Sequence, residues 1–198
     1  MADCVADLIE AWFADHDDGE FVCGIASHPY SVLGQGNEGC VIFTAKPHIV
    51  SRVIEESEAG GELGMIGRCG LPSREDLGWI SRVVGRRRLL FLGDMDPVDL
   101  MVFAWLRALL HPKPVTHIGV NDSFLEKREA PSIRIFSMPC APSEQQSLGL
   151  LKKVLPDLGE IVGRNCASML DQGIKIELDG FEGGQMMKAL IVQCRRPA

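Results

Sequence analysis

The sequence predicts an α/β fold in which helices flank a mainly parallel sheet. Short apolar runs alternate with amphipathic segments along the 198 residues. Each run is continuously apolar, as is typical of strands that are buried on both faces of a parallel sheet. No internal repeat or low-complexity linker divides the chain. We therefore expect an N-terminal helix over residues 1–18 and one domain over residues 19–198.

The individual elements are predicted from apolar spacing and from Gly and Pro positions. Apolar side chains three and four residues apart predict a helix over residues 1–15. A further helix over residues 98–110 is apolar almost all round, so it should be buried. The other predicted helices lie near residues 47–54, 73–84 and 124–128, at several places between 137 and 173, and near 186–192. Strands are predicted at residues 21–26, 40–43, 89–92, 115–120, 133–136 and 174–178.

The composition argues against several classes of protein. The chain has 27 acidic and 20 basic side chains and a net charge of −7, which disfavours a stand-alone, high-affinity nucleic-acid binder. No apolar run approaches the roughly 20 residues that cross a bilayer. The acidic N-terminus lacks the basic region of a signal peptide. We therefore expect a cytoplasmic protein without a membrane partner.

The cysteines and histidines predict neither a zinc site nor a disulfide scaffold. The seven cysteines are scattered and odd in number, and they form no CxxC pair. The five histidines form no HxH or HExxH motif, so zinc ligation is not expected. We expect the cysteines to be small buried thiols in a reducing compartment.

The stretch LLFLGDMDP at residues 89–97 is the strongest candidate for chemistry. It places Asp94 and Asp96 directly after a predicted strand, at the sheet edge where ligands usually bind. Two carboxylates can hold Mg²⁺, which prefers oxygen ligands and keeps several waters. The alternative is structural: Asp96 caps the next helix ahead of Pro97, and Asp94 makes turn hydrogen bonds.

The string GDMDP at residues 93–97 resembles the GDxDPxG signature of the Toprim domain in type IIB topoisomerase (topoisomerase VI) A subunits and their meiotic double-strand-break relatives. Three further segments resemble that family in the same order: VIFTAK at 41–46, HIGV at 117–120, and MLDQGIKIEL at 169–178. Together the segments span about residues 20–182. The resemblance implies a Toprim-like, Rossmann-like fold.

The resemblance also implies a metal centre. Toprim domains hold Mg²⁺ with a Glu at the end of the first strand and with the DxD pair, and the ion steadies the phosphate during phosphodiester transfer. Carried over, Asp94 and Asp96 are the metal ligands. Lys46 matches the lysine of the family, and it is a candidate catalytic residue or a counter-charge beside the two aspartates.

The chain departs from the family pattern at two positions of this centre. The Glu position of the family is occupied by Ala45, which cannot bind a metal. Asp99 stands where the family usually has glycine. Either Asp99 or Glu177 is a candidate for the missing carboxylate, so the magnesium site is expected to be weak or degenerate.

DNA cleavage by this chain alone is not expected. The related enzymes cut DNA with a tyrosine on a winged-helix domain that precedes the Toprim domain. The single tyrosine of this chain, Tyr30, lies just ahead of the first matching strand and is expected to be a structural ring. A basic cluster at Arg82 and residues 86–88 could make weak, salt-sensitive contacts with DNA, or it could be a solvated flank of the next strand.

Three functions remain open from the sequence. The leading hypothesis is a non-cleaving Toprim-like protein with a weak Mg²⁺ site and an accessory role in DNA transactions. The second is an active Mg²⁺-dependent nuclease or phosphotransfer domain. The third is a metal-independent scaffold that binds a protein partner. Because the related A subunits dimerise, a homodimer is also a candidate assembly.

Overall fold

The computed structural model describes residues 2–16, 31–33, 39–50, 64–126 and 136–181. Five strands form its central sheet: β1 (Ser31–Leu33), β2 (Cys40–Thr44), β3 (Gly64–Gly67), β4 (Arg88–Leu92) and β5 (Val115–His117). Their order across the sheet is β1-β3-β2-β4-β5. The last four strands of this order are parallel, and β1 is an antiparallel edge strand. The predicted α/β fold with a mainly parallel sheet is confirmed.

Seven helices complete the described part: α1 (Ala2–Asp15), α2 (Asp76–Val84), α3 (Pro97–Leu109), α4 (Asp122–Leu125), α5 (Pro142–Val154), α6 (Leu158–Ile161) and α7 (Arg164–Asp171). Residues 47–50 are also helical. A second, two-stranded antiparallel sheet pairs β6 (Ser137–Pro139) with β7 (Ile174–Ile176), and a 3₁₀ turn covers Leu178–Gly180. Among the described residues, no helix has the length and apolar character that crossing a membrane requires.

Helix α3 lies at the centre of the hydrophobic core. Its residues from Leu100 to Leu106 are all buried, as the apolar sequence of this helix predicts. Helices α1 and α5 both pack against it. The Trp105 indole nitrogen donates to the Glu10 carboxylate of α1 at 3.1 Å, which ties the first helix to the core. Helix α3 is therefore held in place by its neighbours, and its first turn fixes the position of the residues that precede it.

The order of the parallel strands reverses between β2 and β4. From β2 the chain continues to β3 on one side of the sheet, and from β4 it continues to β5 on the other. In open α/β sheets such a reversal opens a crevice at the carboxyl ends of the two central strands, and ligands bind there. Thr44 and Leu92 are paired at this end of β2 and β4, so the residues that follow them enter the crevice.

Several predicted elements differ from the structure in their bounds. Strand β5 ends at His117, three residues earlier than predicted. The amides of Ile118 and Val120 still donate to the carbonyls of Phe91 and Gly93, but the chain bends between them. Of the strand predicted at residues 133–136, residues 133–135 lie outside the described residues and Phe136 is helical, so the prediction is wrong there; strand β6 begins only at Ser137. Tyr30, the strand predicted at 21–26 and the helix predicted at 186–192 also lie outside them.

The prediction that the cysteines are buried thiols is wrong for Cys40 and for Cys4. Cys40, in the buried strand β2, is disulfide-bonded. Cys4 carries an exposed thiol, whereas the thiols of Cys140 and Cys166 are buried as predicted. Linear spacing carried no signal for this disulfide because the fold, and not the local sequence, brings its two sulfur atoms together.

Gly119 is required by the close approach of β4 and β5 beyond their ends. A Cβ atom at this position would lie 1.9 Å from the Gly93 carbonyl oxygen. We expect Gly119→Ala to lower the free energy of unfolding by about 3 kcal/mol, because backbone atoms must move to admit the methyl group.

Gly149 in α5 has nothing within 4 Å of its Cβ position. Gly149→Ala should raise stability by up to about 1 kcal/mol, and urea unfolding curves that rank the two variants otherwise would contradict this packing.

His117 is buried between the rings of Phe91 and Phe103, and neither ring nitrogen has a hydrogen-bond partner in the described structure. Burial lowers the pKa of His117 to about 4. The unfolded chain takes up this proton near pH 6.5, whereas the folded chain takes it up only near pH 4. This contribution to stability is therefore complete above pH 6.5 and is lost as the pH falls towards 4.

We expect the imidazole to cost about 3 kcal/mol of stability over this pH range. In His117→Leu that loss should disappear, as measured by urea unfolding at pH 7 and at pH 4.5. The difference from the wild type isolates the imidazole, because all other titrating groups are common to both proteins. His111→Leu replaces an exposed histidine and should keep the wild-type pH dependence. Parallel stability curves for His117→Leu and the wild type would show that this imidazole is not the responsible group.

Candidate metal centre

The crevice between β2 and β4 contains an ion pair between Lys46 and Asp94. Lys46 follows the end of β2 by two residues, and Asp94 follows the end of β4 by two residues. The Lys46 ammonium contacts Asp94 Oδ2, and the Asp94 side chain is completely buried. Two segments that are almost 50 residues apart in sequence therefore place opposite charges in contact at the switch point of the sheet.

Gly93 makes the tight exit from β4 possible. A Cβ atom there would lie 2.3 Å from the Phe91 ring and 3.0 Å from Asp99 Oδ2. Its carbonyl also accepts from the Val120 amide at 3.1 Å. A larger residue at position 93 would therefore displace the Phe91 ring or Asp99.

Three aspartates gather at this exit. One oxygen from each of Asp94, Asp96 and Asp99 lies within 4.8 Å of the others, and all three residues are buried. Asp96 caps α3, since its Oδ1 accepts from the Asp99 amide at 2.8 Å. Asp99 Oδ2 accepts from the Asp94 amide at 2.8 Å, which closes the turn. The structural role predicted for Asp96 is therefore observed, and Asp99 shares it.

Strand β7 brings a second set of charges to the same place. Met95 and Ile176 exchange backbone hydrogen bonds of 3.0 and 3.2 Å. The Leu178 amide then donates to Asp94 Oδ1 at 2.7 Å. Because Glu177 precedes Leu178 and Asp179 follows it, both carboxylates lie near the Lys46 ammonium, at 3.9 and 3.7 Å.

Three further pairs surround this arrangement. The Lys175 ammonium contacts Glu144 at 2.8 Å and Glu177 at 2.9 Å. The other Glu144 oxygen accepts from the Ala141 amide at the start of α5. At the exposed side, His48 Nε2 lies 2.6 Å from Asp179 Oδ1. Glu177 is the link between the two lysines, since each of its oxygens faces one of them.

Negative charge exceeds positive charge in this cluster. Six carboxylates (Asp94, Asp96, Asp99, Glu144, Glu177 and Asp179) stand against two ammonium groups (Lys46 and Lys175). Burial and then the charge of Asp96 raise the pKa of both Asp94 and Asp99, although Lys46 opposes these effects. Burial also raises the pKa of Asp96. Such a cluster favours any bound cation or proton that reduces the repulsion.

The excess of negative charge in the cluster raises the pKa of Lys46. Burial alone lowers it, but the nearby charges of Asp94, Asp99 and Asp96 outweigh burial and raise it above its ordinary value. The Lys46 ammonium therefore stays charged and acts as a cation that belongs to the chain itself.

The aspartate trio can bind a metal ion. Carboxylate oxygens this close together suit a hard divalent cation. Lys46, however, already contacts Asp94 Oδ2, so a metal that uses this oxygen must displace the ammonium. Ala45 is buried beside the site and offers no ligand, as the sequence states. The residues present fit a cation centre. Its affinity for a metal ion depends on whether the Lys46 ammonium occupies Asp94 Oδ2.

Some residues of the centre were missed by the sequence prediction. Asp94, Asp96, Lys46 and both candidate substitutes, Asp99 and Glu177, do come together. The contributions of Glu144, Lys175, Asp179 and His48 were not predicted. For Lys175 and Glu177 a signal existed in the alternating KIE pattern of β7, but nothing in the sequence indicated that β7 pairs with Met95.

The predicted basic cluster lies elsewhere. Arg86 and Arg87 lie between α2 and β4, and Arg88 is the first residue of β4, so the cluster lies at the amino end of the parallel strands, whereas the aspartates lie at the carboxyl end. The guanidinium of Arg87 donates to the carbonyls of Val83 and Val84 at the end of α2. Arg82 and Arg86 are exposed. The cluster is therefore separate from the candidate metal centre.

Comparison with known proteins adds no relative: no protein-family model matches the chain, and no curated protein is significantly similar to it.

The ion pair of Lys46 and Asp94 should be strongly coupled to stability. Lys46→Met leaves a buried carboxylate without its partner, so we expect the free energy of unfolding to fall by about 3 kcal/mol. Asp94→Asn keeps an acceptor for the Leu178 amide and removes the charge. Adding it to Lys46→Met should recover most of the loss. Urea unfolding of the wild type, both single variants and the double variant measures this coupling.

The exposed pair of Lys152 and Asp171 is the matched control, because both of its side chains are more than half exposed. The same cycle there, with Lys152→Met and Asp171→Asn, should give a coupling below about 1 kcal/mol. Additive effects at Lys46 and Asp94 would mean that their contact contributes nothing to the folded state.

Proposed function

We propose that the chain is a non-cleaving, Toprim-like protein whose acidic centre binds Mg²⁺ weakly, and that its role in DNA transactions is accessory. The observation that carries this proposal is the contact of the Lys46 ammonium with the buried Asp94 carboxylate. A cation from the chain holds a place that a divalent ion would otherwise take. Mg²⁺ must compete with it and must also give up part of its hydration, so its affinity is low.

The arrangement of the motifs supports the Toprim-like part of the proposal. The segments that resemble the first strand, the DxD motif and the closing segment of the family are distant in sequence. All three meet at the carboxyl end of β2 and β4 through Lys46, Asp94 and Glu177. A chance likeness would not require these segments to converge. The DNA part of the proposal rests on the resemblance alone.

The residues of the centre support the non-cleaving part of the proposal. In metal-assisted phosphodiester chemistry, metal-bound carboxylates must leave the ion free to take a phosphate oxygen. Here Ala45 offers no carboxylate, and Asp96 and Asp99 each accept a backbone amide that holds the turn in place. When Mg²⁺ is bound, it supplies positive charge to a phosphate group. Asp94 and Asp96 would hold it, and Glu177 is the nearest substitute for the missing acid.

A metal-independent scaffold is the second candidate, and a specific observation favours it. Each member of the aspartate trio already accepts a backbone amide, from Leu178, from Asp99 and from Asp94 respectively. These hydrogen bonds join β4, α3 and the segment after β7 whether or not a metal is present. The acids would then be retained for architecture alone.

Thermal melting with Mg²⁺ distinguishes the two candidates, because a ligand of the folded state raises the melting temperature by mass action. We expect a small rise for the wild type and a clearly larger rise for Lys46→Met, since Asp94 is then open to the ion. Lys46→Met/Asp94→Asn should show no rise. Lys152→Met, which removes an exposed lysine, should behave like the wild type.

Failure of Mg²⁺ and Mn²⁺ to raise the melting temperature of Lys46→Met would reject the metal centre and favour the scaffold. A large rise for the wild type, together with Mg²⁺-dependent nicking of plasmid DNA that Asp94→Asn abolishes, would instead establish an active nuclease. Duplex DNA in the same melting experiment tests the accessory role, which predicts a small rise that added salt removes.

A further inference from the structure

A basic groove lies at the amino end of the parallel strands, on the opposite edge of the sheet from the aspartates. It has a volume of about 710 Å³ and runs between two loops. One loop joins α2 to β4, and the other joins α3 to β5. Four cationic residues line it (Arg86, Arg87, Arg88 and Lys113), together with His111. Among the lining residues that the structure describes, none is acidic.

Two of these cations hold the groove together. The guanidinium of Arg87 donates to the carbonyls of Val83 and Val84, which end α2. The Lys113 ammonium donates to the Gly85 carbonyl at 2.5 Å and so ties the second loop to the first. Cations at a helix C-terminus offset the partial negative charge of its free carbonyls. The carbonyls at this edge are therefore already neutralised by the protein.

Arg86, in contrast, donates to no backbone carbonyl among the described residues. It is exposed, and it makes no hydrogen bond or ion pair with any residue that the structure describes. Because Arg87 and Lys113 offset the helix carbonyls, Arg86 adds uncompensated positive charge to the groove. In a chain with a net charge of −7, a groove whose described lining holds four cationic residues and no acid is a local reversal of sign. Charge complementarity therefore selects an anion.

We propose that this groove binds a small phosphate-bearing molecule with an apolar part. Arginine is suited to phosphate because its guanidinium presents paired donors in a plane. The side chains of Leu77, Leu109 and Leu110 also line the groove and offer an apolar surface next to the arginines. A volume of about 710 Å³ lies in the range of small-molecule sites.

The lining favours a small molecule over nucleic acid. Sites for single strands stack bases on aromatic side chains, and no Phe, Tyr or Trp is found among the described residues that line this groove. The overall negative charge of the chain also repels a long polyanion. A single phosphate group is attracted by the positive charge of the groove. The repulsion from negative charges elsewhere on the chain is weak, because salt screens it over about 10 Å.

Isothermal titration of the full chain with inorganic phosphate, pyrophosphate and adenosine monophosphate tests this proposal. We expect adenosine monophosphate to bind more tightly than inorganic phosphate, because only the former has an apolar part. Arg86→Gln should weaken binding about tenfold through the loss of one arginine–phosphate contact. Arg164→Gln removes the same charge from an exposed position on α7, outside the groove, and should leave binding unchanged.

Three outcomes would overturn the proposal. The first is no binding of any of the three probes. The second is equal weakening by Arg86→Gln and Arg164→Gln, which would show a response to net charge and not to a site. The third is binding of a DNA oligonucleotide when none of the small probes binds. Because Arg86 is exposed, Arg86→Gln should not prevent folding. A Lys46→Met/Arg86→Gln double variant should show the same Mg²⁺-induced rise in melting temperature as Lys46→Met, whichever result the phosphate probes give.

Discussion

The buried contact between Lys46 and Asp94 is the interaction on which the acidic edge of this molecule depends. It joins the ends of β2 and β4 at the point where the strand order reverses. Asp94 also accepts from the Leu178 amide, so the same side chain secures the segment that carries Glu177 and Asp179. Without the ammonium, a buried carboxylate would face two further aspartates in a setting of low polarity. The lysine makes the density of acids compatible with folding.

This dependence explains why a DxD motif can persist with or without a metal. Asp96 caps the central helix, and Asp99 holds the turn that carries Asp94. An amide that loses such an acceptor inside the protein is costly to leave unpaired. Structural duty and metal affinity therefore act on the same three residues. Lys46 affects only the metal affinity: its ammonium opposes a metal at Asp94 but leaves the backbone hydrogen bonds of Asp96 and Asp99 intact.

The sequence predicted the parts of this arrangement that local pattern controls. Continuous apolar runs identified β2 and β4, and the apolar surface of residues 98–110 identified the buried helix α3. The capping role of Asp96 followed from its place before Pro97. The site partners that came from far along the chain were harder. Glu144 and Asp179 reach the centre only because β7 pairs with β6 and Met95, and such pairings leave no trace in spacing. The Cys40 disulfide was missed for the same reason.

The two edges of the sheet carry opposite charge, and the net charge of −7 hides this division. The carboxyl edge gathers six carboxylates around two lysines, whereas the described lining of the groove at the amino edge holds three arginines, one lysine and no acid. The sheet and its flanking helices separate the two, so solvent screening keeps each field local. A cation at one edge and an anion at the other would each reduce repulsion where it binds. We therefore expect the two proposed sites to act independently, so that loss of one leaves the affinity of the other nearly unchanged.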